Sequence, residues 1–282
     1  MKQRIQPLKH ILSVLLALLS LAFATGCNLT DSVVSVGSPS PVLTQSTAPT
    51  DTAVPETPTA QPQTTPSSSA EVLPSASPGE ANGAGAYTIA ADVSESKKTY
   101  YSEKADENAL RVENAAIAGV DGASIEKRAG DATSLENVLQ YGLNAAVLAR
   151  ANAQLLLVNS DVTASALGAG GVFAFGGRVQ LENSVVRATG ASSFALASSG
   201  GGSVSTKESN LSTQGATSPA VVAMPGGEVF LEGGIAATGG DASPVILARG
   251  SVTANNATLR ANNSEVIAVN GGNVTLSDCA AS

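Results

Sequence analysis

A repeat of 22 to 25 residues in the C-terminal half constrains the fold of this chain more than any other feature. Residues 176–181, 226–231 and 271–276 are three versions of one unit, Gly-Gly-x-Val-x-Leu. Weaker copies complete a column of apolar residues spaced 24, 25, 25, 23 and 22 apart: Leu155, Val179, Val204, Val229, Val252 and Val274. A period of this length, with short alternating segments between Gly-, Ser- and Asn-rich corners, is typical of a solenoid with about three strands per coil.

Three further columns share this period. The second lies two residues after the first and comprises Leu157, Leu181, Thr206, Leu231, Ala254 and Leu276. The third comprises Val162, Val186, Leu211, Ile235 and Leu259. The fourth precedes the glycines and comprises Val147, Val172, Ala195, Val221, Ile246 and Val266. The pattern predicts an all-β fold over residues 87–282, a parallel β-helix solenoid of about 6–8 coils. The sequence lacks the patterns of leucine-rich and calcium-binding nonapeptide repeats.

An insertion interrupts the repeat on its N-terminal side. We predict one coil before it, because Leu110, Val112 and Ile117 reproduce a spacing found in the first three columns. The insertion adds about 20 residues to one period. Within it, Ser134 is suited to cap a short helix that carries on one face Leu135, Val138 and Leu139.

The first 27 residues have the pattern of an exported lipoprotein. Basic residues precede an apolar run of 13 residues, Ile11–Phe23, which is shorter than the roughly 20 residues of a membrane-spanning helix. The run leads to Ala24–Cys27 (Ala-Thr-Gly-Cys), which resembles a bacterial lipobox. That resemblance implies that residues 1–26 are a cleaved signal peptide and that lipidation of Cys27 anchors the chain at the extracellular face of the cell membrane. An ordinary secretory peptide that happens to contain a cysteine is the alternative.

Residues 27–86 have the composition of a tether. They hold nine of the 13 prolines, are rich in Ser and Thr, and contain neither Lys nor Arg. Since they offer few large apolar side chains to bury, we predict that this segment is disordered and holds the solenoid away from the membrane.

Charge and composition exclude several partners and chemistries. The first 26 residues hold three of the 15 basic residues and none of the 23 acidic ones, so the mature chain is strongly acidic and unsuited to nucleic acid. The only histidine, His10, lies in the predicted signal peptide. We therefore expect no cofactor, no metal site and no histidine-based catalysis.

The domain resembles a known group of exported proteins. Residues 130–137 (Gly-Asp-Ala-Thr-Ser-Leu-Glu-Asn) and 141–149 (Tyr-Gly-Leu-Asn-Ala-Ala-Val-Leu-Ala), followed by coils of the Gly-Gly-x-Val-x-Leu type, are similar to the right-handed β-helix proteins of Gram-positive anaerobes that are described mostly as hypothetical or adhesin-like. The resemblance covers roughly residues 100 to 282. It implies a right-handed parallel β-helix at the cell surface and no established activity.

The strand before each Gly-Gly turn has an unusual outward face. One parity of the strand holds the fourth column, and the opposite parity holds Arg150, Arg249 and Glu265 and must therefore face solvent. That outward parity also carries an apolar ladder: Leu148, Phe173, Leu196, Val222, Leu247 and Ile267. A continuous apolar strip indicates either a docking site for a partner or a surface that the insertion helix or the N-terminal segment covers.

Catalytic and ligand-binding patterns are sparse. The acidic residues of the coils are scattered over different columns, and the pair formed by Arg178 and Glu182 is better interpreted as a solvated face than as an acid and base. The clustered aromatic residues that could form a glycan platform are Tyr141, Phe173 and Phe175. Cys279 falls in a corner column of small residues with Ser160, Ser184 and Ser209.

These observations favour a non-enzymatic cell-surface lipoprotein that displays a β-helix for adhesion or cell-envelope interaction. The expected partners are the membrane, through the lipid, and a cell-wall polymer, glycan or protein. Self-association through the ladder or the last coil is a further expectation, because an uncapped coil exposes backbone groups and apolar side chains. The alternative function is that of a polysaccharide-binding or polysaccharide-processing β-helix.

Overall fold

The computed structural model describes residues 83–282, which wind into eight coils of three strands each. The predicted signal peptide, Cys27 and nearly all of the predicted tether lie outside the described residues. The first strand begins at Ala84, three residues before the predicted start of the domain.

The strands and the single described helix follow one another regularly along the chain. The first four coils contain β1 (Ala84–Ile89), β2 (Val93–Ser96), β3 (Thr99–Ser102); β4 (Glu107–Val112), β5 (Ile117–Asp121), β6 (Ser124–Lys127); then helix α1 (Leu135–Tyr141) and β7 (Val147–Arg150), β8 (Gln154–Val158), β9 (Asp161–Ala164); β10 (Gly170–Phe175), β11 (Arg178–Glu182), β12 (Val185–Ala188). The last four contain β13 (Phe194–Ser199), β14 (Ser203–Lys207), β15 (Asn210–Thr213); β16 (Val221–Ala223), β17 (Glu228–Glu232), β18 (Ile235–Thr238); β19 (Ile246–Ala248), β20 (Ser251–Asn255), β21 (Thr258–Ala261); β22 (Ile267–Val269), β23 (Asn273–Ser277), β24 (Ala280–Ala281).

Each strand from β1 to β21 pairs in parallel with the strand three places further along the chain, which produces three parallel sheets of eight strands. Sheet A contains the first strand of each coil, sheet B the second and sheet C the third. Side chains alternate between the two faces of each strand, so one parity lines an interior of aliphatic residues and the other faces outward. The predicted parallel β-helix is confirmed.

The first two predicted columns are confirmed residue by residue in sheet B. Val179 pairs with Leu155 and Val204, and Leu181 pairs with Leu157 and Thr206. These side chains are buried in the interior, whereas the residues between them face outward. The regular Gly-Gly turn before β11, β17 and β23 makes this register visible in the sequence.

The third and fourth columns each contain errors of one residue. In sheet A the strand partner of both Val172 and Val221 is Leu196, not Ala195. Ala195 and Leu196 are both buried in the main interior, and their N–H groups both donate to the Ala220 carbonyl. Because two adjacent residues face inward here, the sequence pattern does not show which of them belongs to the column.

The other two errors arise where apolar residues lie next to each other in the sequence. In sheet C the partner of Leu211 is Ala236, whereas the predicted Ile235 is 38% exposed. In the last coil the partner of Ile246 is Ile267, not Val266. In both places two adjacent residues fit the period almost equally well. The prediction took the first of the two, whereas the second is the one in the column.

Two coils, not one, precede the insertion. Leu110 pairs with Val147 in sheet A, and Ile117 pairs with Gln154 in sheet B, so neither belongs to the column predicted for it. The same apolar spacing occurs in more than one sheet because every strand alternates with a period of two. The insertion itself follows Lys127, at the end of the second coil.

The corner between sheets B and C is built on a similar plan in all eight coils. Each contains a residue with a positive φ angle: Lys97, Gly122, Asn159, Asn183, Glu208, Gly233, Asn256 and Asp278. In the sixth coil Gly234 also has a positive φ angle. A small residue follows in every coil except the first, where Lys98 follows. The Ser184 hydroxyl accepts a hydrogen bond from the Ser160 N–H at 3.1 Å while donating to the Glu182 carbonyl at 2.9 Å. Cys279 occupies this corner column as predicted, and its thiol donates in the same way to the Ser277 carbonyl.

Candidate interaction surface

The outward column of sheet A differs from the predicted ladder at two positions. Strand pairing aligns Leu148, Phe173, Ala197, Val222, Leu247 and Ala268 on this face. Leu196 and Ile267 point instead toward the main interior, where Leu196 is fully buried. The predicted ladder was therefore wrong at both places, for the reason of register already described.

Helix α1 covers much of this column. Val138 on the helix packs with the ladder residues Leu148, Phe173 and Val222 in a second apolar cluster, and all four side chains are fully buried. Of the two predicted interpretations, a docking strip or a covered surface, the structure supports the covered surface for these residues. Leu247, beyond the helix, is only partly buried.

The ends of α1 are fixed by local interactions. Ser134 caps the N-terminus as predicted, since its hydroxyl accepts a hydrogen bond from the Asn137 N–H at 3.2 Å. Gly142 ends the helix in the left-handed conformation, with φ 73°. Leu135, expected on the packed face, is instead 43% exposed.

Two glycines let the aromatic side chains under the helix pack closely. A Cβ atom on Gly142 would lie 2.6 Å from the ring of Phe173, and a Cβ atom on Gly170 would lie 2.0 Å from the ring of Phe194. The two rings meet edge to face with centroids 5.7 Å apart. Glycine is therefore required at both positions for space, and at Gly142 also for the positive φ angle.

A set of hydrogen bonds fastens the insertion to the second coil. The Asn108 amide group donates to the carbonyls of Gly142 and Ala145 at 3.0 and 2.9 Å. The Asn144 side chain accepts from the Asp106 N–H and donates to the Gly130 carbonyl, both at 3.0 Å. These contacts give the two motifs at 130–137 and 141–149 a structural role, which is to position α1 over sheet A.

Lys127 is a buried cation that sequence reasoning missed. Its side chain points inward, is 1% exposed, and its ammonium group donates to the Glu107 carbonyl at 3.0 Å, to the Ser102 hydroxyl at 3.3 Å and to the Lys104 carbonyl. Burial lowers the pKa of Lys127 to about 8, against the opposing effect of the nearby Glu107 and Asp106 carboxylates. A correct register would have revealed it, since Lys127 pairs with the inward-facing Ala164.

The outer face of sheet B is largely polar. Its central outward column runs through Leu156, Gln180, Ser205, Phe230, Thr253 and Thr275. Phe230 is 42% exposed and lies between the short hydroxyl side chains of Ser205 and Thr253. Glu228 and Glu232 lie on the same face of the strand, two residues to either side. Phe230 is thus a raised aromatic surface in a polar setting, and it was not among the predicted aromatic candidates.

The residues proposed earlier for chemistry or ligand binding are not assembled into one site. Arg178 and Glu182 lie at opposite ends of β11, about 13 Å apart at the usual rise per residue, and the Gln180 amide donates to Glu182 at 2.7 Å. Tyr141 and Phe175 do meet, with ring centroids 5.4 Å apart, but Phe173 is buried beneath α1.

Residues 83–282 contain no cluster of three or more His, Cys, Asp or Glu side chains suited to hold a metal ion. No helix in this part of the chain is long and apolar enough to span a membrane.

Comparisons of the chain with protein-family models, with curated proteins and with solved structures found no match.

Because α1 covers one part of the outward column and not another, we expect a lysine substitution to lower the free energy of unfolding by different amounts at Phe173 and at Leu247. Phe173→Lys places an ammonium group among apolar side chains and should destabilise the domain by at least ~3 kcal/mol. Leu247→Lys, at a partly exposed position of the same column, should cost less than ~1.5 kcal/mol. Urea unfolding followed by circular dichroism measures both, and similar losses in the two variants would contradict the covering role of α1.

Lys127 predicts a dependence of stability on pH. Because its pKa is about 8 in the folded chain and normally about 10.5, the unfolded chain binds more protons between these values. This group's contribution to the free energy of unfolding should therefore rise with pH from 8 to 10.5, by up to ~3 kcal/mol at ~1.4 kcal/mol per unit. The measurement is the difference in unfolding free energy between the wild type and Lys127→Met across this range, and a constant difference would disprove the assignment.

Proposed function

We propose that this chain is a non-enzymatic cell-surface lipoprotein whose β-helix binds an extended polymer of the cell envelope, such as a glycan, along the outer face of sheet B. The observation that carries the proposal is the exposed Phe230 ring in the central outward column of that face. Sugar rings present apolar C–H faces that stack on aromatic side chains, while neighbouring polar groups bind their hydroxyls.

The dimensions of sheet B suit a long ligand. Eight parallel strands at a spacing of ~4.8 Å give a face about 34 Å long. Side chains lie along it in straight rows parallel to the solenoid axis, so an extended polymer can contact several strands at once. Carboxylates of Glu228 and Glu232 and hydroxyls of Ser205 and Thr253 surround Phe230, and all of these groups can accept hydrogen bonds from sugar hydroxyls.

The assignment as non-enzymatic is supported by the distribution of ionisable groups. On β11 the acid and the base lie at opposite ends of the strand, and the Asp161 carboxylate forms a two-point ion pair with Arg187, at 2.9 and 3.0 Å. Lys127, whose pKa is lowered by burial, binds backbone carbonyls in the interior. Each of these arrangements serves the structure of the solenoid.

Surface display is supported by the N-terminal pattern. Ala24–Cys27 follows a short apolar run, and a Pro-, Ser- and Thr-rich segment separates it from the first strand. Lipid attached at Cys27 would hold the chain at the membrane, and the intervening residues would let the solenoid reach the surrounding envelope.

The polymer-binding proposal is tested with a screen of glycans and cell-wall polymers against the chain from residue 28 onward. We expect saturable binding that Phe230→Ala weakens by about tenfold, the effect of losing ~1.4 kcal/mol of stacking energy. Tyr101→Ala is the matched control, because Tyr101 is a comparably exposed aromatic residue on sheet C. Equal weakening by both variants, or turnover of the polymer, would contradict the proposal.

Lipid anchoring predicts a change in location when Cys27 is replaced. Cys27→Ser removes the thiol that carries the lipid, so the chain should be released into the medium or remain unprocessed. Fractionation of cells that express the two forms, followed by mass spectrometry of the N-terminus, distinguishes these outcomes. A Cys27→Ser chain that is cleaved after residue 26 and still remains with the membrane would be incompatible with lipidation.

A further inference from the structure

The corner between sheets A and B in the last coil contains an unusual dipeptide. Asn270 and Gly271 are both exposed there, between β22 and β23. Gly271 has a φ of 82°, and a Cβ atom added to it would have no neighbour within 4 Å. The carboxamide of Asn270 is therefore followed by a backbone nitrogen that no side chain shields.

We infer that Asn270 is a site of spontaneous covalent modification through a cyclic imide. The Gly271 nitrogen attacks the Cγ atom of Asn270, so a C–N bond forms and the bond from Cγ to the amide nitrogen breaks. Ammonia leaves with the proton from the Gly271 nitrogen. Water then opens the imide at either carbonyl, which yields aspartate or isoaspartate at position 270, and the sequence of steps needs no oxidant, reductant or enzyme.

The other asparagines of the domain lack this combination. Within residues 83–282, Asn270 is the only asparagine followed by glycine. Several others are held by their side-chain amides, as Asn256 is by Glu232 at 3.2 Å and Asn263 is by the Gly239 carbonyl at 3.1 Å. In the described part of the chain, neither the side-chain carboxamide of Asn270 nor the Gly271 N–H forms a hydrogen bond. The groups that must react are thus free to approach each other.

The two products have different consequences for the last coil. Val269 pairs with Ala248, so position 270 lies beside the exposed Arg249 of the preceding coil, and an aspartate there places a carboxylate next to a guanidinium group. Isoaspartate instead adds a methylene group to the main chain. Two hydrogen bonds hold this part of the last coil to its neighbour, from the Asn270 N–H to Ala248 O and from the Asn273 N–H to Gly250 O, both at 2.8 Å. The added methylene group lies between them. Isoaspartate should therefore loosen β23, whereas aspartate should not.

The test is an incubation of the full chain at neutral and at mildly alkaline pH, followed by trypsin digestion and mass spectrometry. Residues 261–282 contain no Lys or Arg, so one peptide carries Asn270 together with three controls, Asn262, Asn263 and Asn273. We expect the mass change from amide to acid at Asn270 at least about tenfold faster than at Asn273, a ratio that corresponds to ~1.4 kcal/mol of activation free energy. The rate should rise with pH, because the attacking nitrogen must lose its proton.

Two comparisons make the outcome decisive. Gly271→Ala should slow the reaction, and since alanine is strained at a positive φ, circular dichroism verifies that this variant folds. The isoaspartate fraction should show faster amide hydrogen exchange in β23 than the variant Asn270→Asp. Modification of all four asparagines at equal rates would overturn the inference. So would an Asn270 that stays intact in the folded chain under conditions that modify it in the chain unfolded in urea.

Discussion

In-register parallel hydrogen bonding between successive coils is the interaction on which this structure depends. It continues around the corners between sheets B and C, where the Asn159 N–H donates to Glu182 O and the Asn183 N–H to Lys207 O, at 3.0 Å in each case. Because each coil is a template for the next, inward-facing residues stack in columns that form a mainly aliphatic interior. The straight outward rows of sheet B follow from the same constraint.

Helix α1 adds what the repeat alone lacks, a second apolar cluster outside the solenoid. Its position depends on polar contacts from Asp106 and Asn108 in the second coil and on apolar contacts with Phe173 in the fourth. The insertion therefore links coils that are not neighbours, in a structure whose other contacts join each coil mainly to the next. A column that resembles an exposed binding strip in the sequence is thereby converted into core.

The sequence was sufficient for the fold because the columns of sheet B recur beside Gly-Gly turns that mark their register. Sheet A was harder, since the adjacent residues Ala195 and Leu196 both face the interior, and the sequence does not show which of them belongs to the column. The helix and its Ser134 cap were predictable from local chemistry, but its packing over Phe173 depends on contacts distant in sequence. Phe230 was missed because a single aromatic residue forms no pattern until strand pairing places it between Ser205 and Thr253.

The placement of α1 also determines how the coils are counted. Coils of one solenoid have nearly interchangeable interiors. A chain in which one coil stacks on the wrong neighbour during folding therefore still buries a comparable apolar area. Gly142 fits against Phe173, and Phe194 fits over Gly170, at one position only along the axis. A chain shifted by one turn would place different side chains under the helix, and the apolar face of the helix would lose its packing partners. The insertion thus selects one register among coils that would otherwise be nearly equivalent.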